Sequence, residues 1–244
     1  MIRVAAVGDV HLGEDLRGRF RPRLATLAED AEVLLLAGDL TQHGTLAEGE
    51  VVAEEFAGLE VPVVTVLGNH DYHGDQQDEI SKVLTDAGIT VLECSGTVLD
   101  LPGGLLGVAG TKGFGGGFPG RCGSDFGEPE MKSFVRHSKE LAAGLGEALA
   151  GLGAGTCVAL THYSPVADTL AGEPMEIYPF LGSYFLAEAA DGAGADLILH
   201  GHAHAGTEKG LTPGGVSVRN VAMPVLRRPY AVYCLRSGEP PGCD

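Results

Sequence analysis

Val61-Pro62-Val63-Val64-Thr65-Val66-Leu67-Gly68-Asn69-His70-Asp71 is an apolar, β-branched run that stops at a glycine and three polar side chains. Branching at Cβ restricts χ1 and suits a pleated surface, so Val61 to Leu67 reads as a buried strand and the block after it as the loop at its end. The same passage occurs four more times. Ile2 to Val7 leads to Asp9-Val10-His11, and Val33 to Ala37 leads to Gly38-Asp39. Cys157 to Leu160 leads to Thr161-His162, and Ala195 to Leu199 leads to Gly201-His202-Ala203-His204. Strands that all turn polar at one end predict a sheet with one rim on which these side chains gather.

Between the strands, helical spacing recurs over Leu24 to Glu29, Leu46 to Leu59, Asp78 to Ala87 and Met131 to Leu149. Further strands are expected at Thr90 to Glu93 and Thr97 to Leu101, then beyond the Pro102-Gly103-Gly104 turn at Leu105 to Ala109. Val216 to Val221 and Tyr230 to Leu235 read as closing strands, and the Gly238-Glu239-Pro240-Pro241-Gly242 tail as frayed. Gly113 to Gly127 is glycine-rich and without period, which predicts an active-site loop. With no repeat and no linker, 244 residues read as one α/β domain over positions 1–244.

Composition narrows the function classes. Hydrophobic residues make up 44% of the chain and charged ones 20%, and no apolar run reaches the roughly 20 residues needed to cross a bilayer, so no membrane partner is expected. The first motif begins at Asp9, leaving no space for an export signal within these residues. Five cysteines, Cys94, Cys122, Cys157, Cys234 and Cys243, form no Cys-x-x-Cys pair, which predicts neither a disulfide framework nor a zinc ribbon. The expectation is reduced thiols and a cytoplasmic location. A formal charge of −17 repels polyanions and argues against nucleic acid as partner, although bound cations would make the site itself locally positive.

The blocks carry the chemistry of a two-metal phosphoesterase. Asp9 and His11, two apart at a strand end, face one side and can hold a cation between carboxylate and imidazole. Asp39 follows a glycine that lets backbone approach closely, a place for a carboxylate that bridges two metals. Asn69 offers a neutral oxygen ligand, while His70 can reach past the metal layer to donate a proton to a departing oxygen. Asp71 suits a structural role in the same loop. His162, His202 and His204 complete a nitrogen complement to the carboxylates.

The ordered set Asp-x-His, Gly-Asp, Gly-Asn-His-Asp, His and Gly-His-x-His resembles the calcineurin-like metallophosphoesterase superfamily over essentially the whole chain. The resemblance implies a four-layer αββα sandwich of two mixed β-sheets flanked by helices. It implies one metal on Asp9, His11, Asp39 and His204 and the other on Asp39, Asn69, His162 and His202. The metals would be manganese, iron or zinc. The implied reaction is in-line hydrolysis of a small phosphoester by a hydroxide held between the cations, with Asp39 and His70 as catalytic residues. The compact form is similar to bacterial phosphodiesterases, which sets a phosphodiesterase ahead of a phosphomonoesterase or a nuclease, and those ahead of a metal-binding interaction scaffold.

One departure concerns position 42. Relatives often carry an acid there, whereas Gln42 lacks the charge that would raise the pKa of His70. Arg17, Arg19, Arg21 and Arg23 read as a solvated basic face. Tyr72, His73, Lys112, Arg121 and Tyr163 flank the motifs, with nothing in the sequence to rank them as substrate contacts.

Overall fold

The computed structural model describes residues 1–236 in full and the backbone of 239–242. Its strands are β1 (Ile2–Val7), β2 (Val33–Ala37), β3 (Val63–Val66), β4 (Thr90–Val91), β5 (Ser95–Leu101), β6 (Gly104–Thr111), β7 (Gly117–Phe118), β8 (Arg121–Cys122), β9 (Cys157–Thr161), β10 (Leu197–His200), β11 (Lys209–Leu211), β12 (Ser217–Asn220), β13 (Ala231–Arg236) and β14 (Glu239–Gly242). The helices are α1 (Leu27–Asp30), α2 (Leu46–Phe56), α3 (Gln77–Asp86), α4 (Pro129–Ala150), α5 (Tyr178–Leu181), α6 (Tyr184–Ala193) and α7 (Met223–Leu226).

Two six-stranded sheets form, in the orders β14-β13-β1-β2-β3-β4 and β11-β12-β10-β9-β6-β5. Both are mixed. β1, β2, β3 and β4 run parallel while β13 is antiparallel to β1. β6, β9, β10 and β12 run parallel while β5 and β11 are antiparallel edges. Parallel central strands need both faces covered, and the period of two in the side chains delivers this. From β1 and β2, Val4, Ala6, Val33 and Leu35 turn inward against Leu106, Val108, Val158 and Leu199 of the facing sheet. Their neighbours Ala5, Val7, Leu34 and Leu36 turn outward against Val52 and Phe56 of α2 and Ile80 and Leu84 of α3. On the far side Ala159 and Ile198 meet Leu145 of α4 and Leu186 of α6. The layers are therefore helix, sheet, sheet, helix, as expected.

Local signals explain the helix starts. Thr45 and Glu48 form a reciprocal capping box at α2, Pro129 opens α4, and the Ser183 hydroxyl accepts from the Phe185 amide at α6. Helix α6, which sequence periodicity did not single out, buries only Leu186, Ala187 and Ala190. The expected frayed tail is corrected in part: backbone 239–242 pairs with β13 at the sheet edge across a register irregularity between Cys234 and Arg236, and edge strands and bulges are where a sheet tolerates prolines such as Pro240 and Pro241. Gly238 of that tail lies outside the described residues, as does Cys243. Cys234 is disulfide-bonded, which corrects the expectation of reduced thiols throughout, whereas Cys94, Cys122 and Cys157 are free. No helix is long and apolar enough to cross a membrane among the described residues.

Candidate metal centre

The carboxyl ends of β1, β2 and β3 in one sheet and of β9 and β10 in the other open onto the same rim, and the five blocks meet there. Asp9 and His11 follow β1, Asp39 follows β2, Asn69 and His70 follow β3, His162 follows β9, and His202 and His204 follow β10. Ligand atoms of Asp9, His11, Asp39 and His204 lie within 4.8 Å of one another, and so do those of Asp39, His162 and His202. Asp39 belongs to both groups. Asn69 joins the second, its Oδ1 lying 2.9 Å from His162 Nε2.

The backbone is bent hard to bring these groups in. Among the described residues, seven non-glycines adopt the left-handed conformation, and four are Asp9 (φ 57°), His11 (φ 43°), Asp39 (φ 50°) and His202 (φ 70°). Such conformers cost on the order of 1 kcal/mol or more each and persist where surrounding structure fixes them. Two glycines make the approach possible. A Cβ on Gly68 would lie 2.1 Å from Asp39 Oδ1, and one on Gly201 would lie 2.3 Å from Asp9 Oδ2.

Hydrogen bonds fix the side chains. Asp9 accepts from the His202 amide at 3.0 Å, and Asp39 Oδ1 from the His70 amide at 2.8 Å. Asp71, fully buried, accepts from the amides of Leu40 (3.2 Å), Thr41 (2.8 Å) and Gly68 (2.7 Å) and from the Thr41 hydroxyl (2.6 Å). It ties the loop after β2 to the loop after β3, a structural role as the sequence suggested. His162 Nδ1 lies 2.8 Å from the Ala37 carbonyl, which can only accept, so that nitrogen carries the proton. Its Nε2 lone pair then faces two oxygens, Asn69 Oδ1 and, at 3.3 Å, Asp39 Oδ1. His11 Nε2 and His204 Nε2 similarly converge at 3.5 Å. Lone pairs aimed at one another fit a cation placed between them, and carboxylate, amide and imidazole donors without thiolate suit manganese, iron or zinc.

Electrostatics keep Asp9, His11 and His202 in ligand form. Burial holds the His202 imidazole down at about 3, against the pull of Asp9, and lowers that of His11, against Asp39 and Asp9. For Asp9, burial acts upward, but the His204 hydrogen bond, the His162 and His204 charges and the His202 amide outweigh it and leave the carboxyl low. The Asp9 hydrogen bond raises His204. For Asp71, burial and the neighbouring Asp39 raise the carboxyl against the Gly68 and Thr41 hydrogen bonds.

His70 stands beside the clusters, its ring centroid 4.5 Å from that of His11. Its Nδ1 donates to the Gln42 main-chain carbonyl at 2.8 Å, so the ring is oriented by a contact that does not depend on the side chain at 42. The arginine run lies elsewhere: Arg17 pairs with Glu54, Arg21 Nη1 donates to the Ala57 carbonyl at 2.6 Å, and Arg23 covers the Phe20 ring. The segment from Gly113 to Gly127 divides. Residues 113–118 pack inward, with the Phe114 ring 5.8 Å from Tyr163, while β7 and β8 make a small hairpin. Two residues that sequence reasoning left unranked are buried here. His200 donates through Nδ1 to the Gly201 carbonyl at 2.7 Å and accepts at Nε2 from Thr169 at 2.8 Å, and burial holds it down at about 4. Lys112 is the other, and no spacing rule marks a lone lysine between strand and glycine.

No curated protein matches the chain in sequence. Among solved structures, a phosphopantetheinyl hydrolase from Mycobacterium tuberculosis superposes with a TM-score of 0.61 at 15% identity, over 90% of this chain and 88% of the other. A putative 5'-nucleotidase from Staphylococcus aureus gives 0.61 at 16% identity, over 98% of this chain and 52% of the other. An anchor protein of the inner membrane complex of Plasmodium gives 0.55 at 15% identity, over 91% and 72%. These likenesses establish the fold, and the sequence itself supplies the family: residues 2–206 match the calcineurin-like phosphoesterases, and the chain belongs to that family.

Proposed function

We propose that this chain is a dinuclear metal-dependent phosphodiesterase acting on a small phosphoester, its activity carried by one domain over residues 1–244. The observation that carries the reading is the pair of ligand clusters sharing Asp39. Asp9, His11, Asp39 and His204 would hold one ion and Asp39, Asn69, His162 and His202 the other. When bound, such ions neutralise phosphoryl oxygens and supply a nucleophile ionised at neutral pH.

The chain's own residues do the rest. Asp39, fixed by the His70 amide, spans both halves of the site. His70, with Nδ1 committed to the Gln42 carbonyl, presents Nε2 to donate the proton that a departing alkoxide needs. The diester reading is supported by an apolar surface beside the second cluster that can take an ester arm: Phe114, Phe134 and the exposed Phe180, whose carbonyl lies 3.3 Å from His202 Nε2. The net charge of −17 weighs against nucleic acid.

The test is protein reconstituted with Mn²⁺ and offered bis-p-nitrophenyl phosphate, p-nitrophenyl phosphate, cyclic nucleotides and single-stranded DNA. Highest turnover on a small diester is expected. Turnover of the monoester alone would overturn the diester preference, and failure on every substrate with metal bound would overturn the hydrolase reading in favour of a scaffold.

A further inference from the structure

Lys112 directly follows β6, where the chain runs into the glycine-rich segment, and the residue is buried, with 8% of its surface exposed. A buried charge is costly unless paired and hydrogen-bonded. Here Nζ donates to one neutral acceptor, the Gly113 carbonyl at 3.2 Å, and among the described residues it makes no ion pair with a carboxylate. Three rings surround it, Tyr72 at 4.9 Å, Phe114 at 5.1 Å and Tyr163 at 5.2 Å from Nζ to centroid, while the carboxylates of Glu93 and Asp39 act on its charge from beyond ion-pair distance. Aromatic faces hold a cation without consuming its N–H groups as a carboxylate would. Hydrogen-bonding capacity is left over.

The rings also say where that capacity lies. Tyr72 is two residues beyond His70 in the loop after β3, and Tyr163 is next to His162 in the loop after β9. The Lys112 carbonyl accepts from the amides of both His162 and Tyr163 at 3.1 Å, and the Tyr163 ring lies 4.4 Å from that of His202. The ammonium is thus bracketed by the two loops that deliver Asn69 and His162, on the side of the Asp39, Asn69, His162 and His202 cluster.

We propose that Lys112 is a substrate-binding residue whose ammonium donates a hydrogen bond to a non-bridging oxygen of the phosphoryl group under attack. This rests on the reading of the centre as a phosphoester site. A packing role alone is the poorer account, because a methionine would fill the same aromatic cage with no charge to desolvate. The lysine adds a positive charge to the phosphoryl site, and it favours most the ligand carrying most negative charge, the monoester dianion that diester hydrolysis releases, for which inorganic phosphate serves as the probe.

The test uses Mn²⁺-loaded protein and inorganic phosphate as the probe, with K112M and K112R beside the wild type. Calorimetric titration should show phosphate binding weakened about 10- to 100-fold in K112M, the size of a hydrogen bond to a charged group, and largely kept in K112R. Metal content should match the wild type in both. Unchanged phosphate affinity in metal-loaded K112M overturns the assignment. A second measurement needs no neutral variant: in wild-type protein loaded with diamagnetic Zn²⁺, the Lys112 ammonium resonance, assigned by its absence in K112R, should shift on phosphate addition, and a resonance that does not move also overturns it. The two proposals fail separately. Lys112-dependent phosphate binding without turnover of any ester removes the hydrolase reading and leaves this one. Turnover and phosphate binding indifferent to K112M remove this one alone.

Discussion

The middle of the first sheet and its rim obey opposite rules. Along β1 and β2 every residue but Arg3 is buried, apolar and in ordinary extended backbone, with side chains alternating between two cores. Two residues beyond the ends of these strands stand Asp9 and Asp39, buried carboxylates on left-handed backbone, with Asp71 buried behind them. The difference teaches where the molecule is built to fold and where it is built to bind. Burial of apolar surface stabilises the strands whatever follows them. The rim, left to itself, gathers negative charge and nitrogen lone pairs in one place, an arrangement that cations would relieve.

Substitutions on the two sides should therefore separate binding from folding. The largest effect on function is expected from Asp39→Ala, which removes the one carboxylate common to both clusters. Activity should vanish and metal content fall while circular dichroism stays that of a folded protein. A well-loaded, fully active variant would end the comparison at its strongest point. For His70→Ala, loss of general-acid assistance predicts a rate about 100-fold or more lower on alkyl esters, a smaller loss on nitrophenyl esters, and retained metal. Equal losses on both would remove the proton-transfer role.

Asp71 sits where the two rules meet, holding four donors of the rim loops while buried like the core. Asp71→Ala strands those donors and should cost about 3 kcal/mol. Thermal unfolding would then come roughly 6 to 12 °C lower for a chain of this size. A shift within a degree or two would show the loops are tied by something else.

The smallest effect concerns pH. His200 is buried neutral with its pKa held at about 4, so below about 6.5 the unfolded chain takes up a proton that the folded chain refuses. Its contribution is whole above about pH 6.5 and is lost as pH falls from there toward 4. In metal-free protein, His200→Gln should flatten the fall of melting temperature across that window. Parallel curves for the two proteins would contradict it.

Much of this was legible beforehand for a physical reason. A strand that stops at glycine and then shows Asp, Asn or His states both its burial and its exposed end in consecutive letters, as at Leu67-Gly68-Asn69 and Ala37-Gly38-Asp39. The pairing of strands into two stacked sheets came from family resemblance, since period-two burial does not say which sheet a strand joins. Other features had no local signature. The left-handed turn at His11 follows from tertiary contacts, among them its amide bonded to the Asp39 carbonyl. Helix α6 mixes small and acidic residues, so its apolar stripe is thin. The expectation about Gln42 looked to a side chain, whereas the structure supplies His70 with a main-chain carbonyl. Lys112 became informative only once Tyr72, Phe114 and Tyr163 were seen around it.

The central claim is that one carboxylate, Asp39, joins two metal sites at this rim. Its most direct test is the metal count of protein reconstituted with Mn²⁺ and stripped of loose ions, read for the wild type and for Asp39→Ala by elemental analysis. The account predicts two ions per wild-type chain and loss of binding at both sites in the variant. A wild-type chain that takes up one ion, or a variant that keeps two, would contradict it.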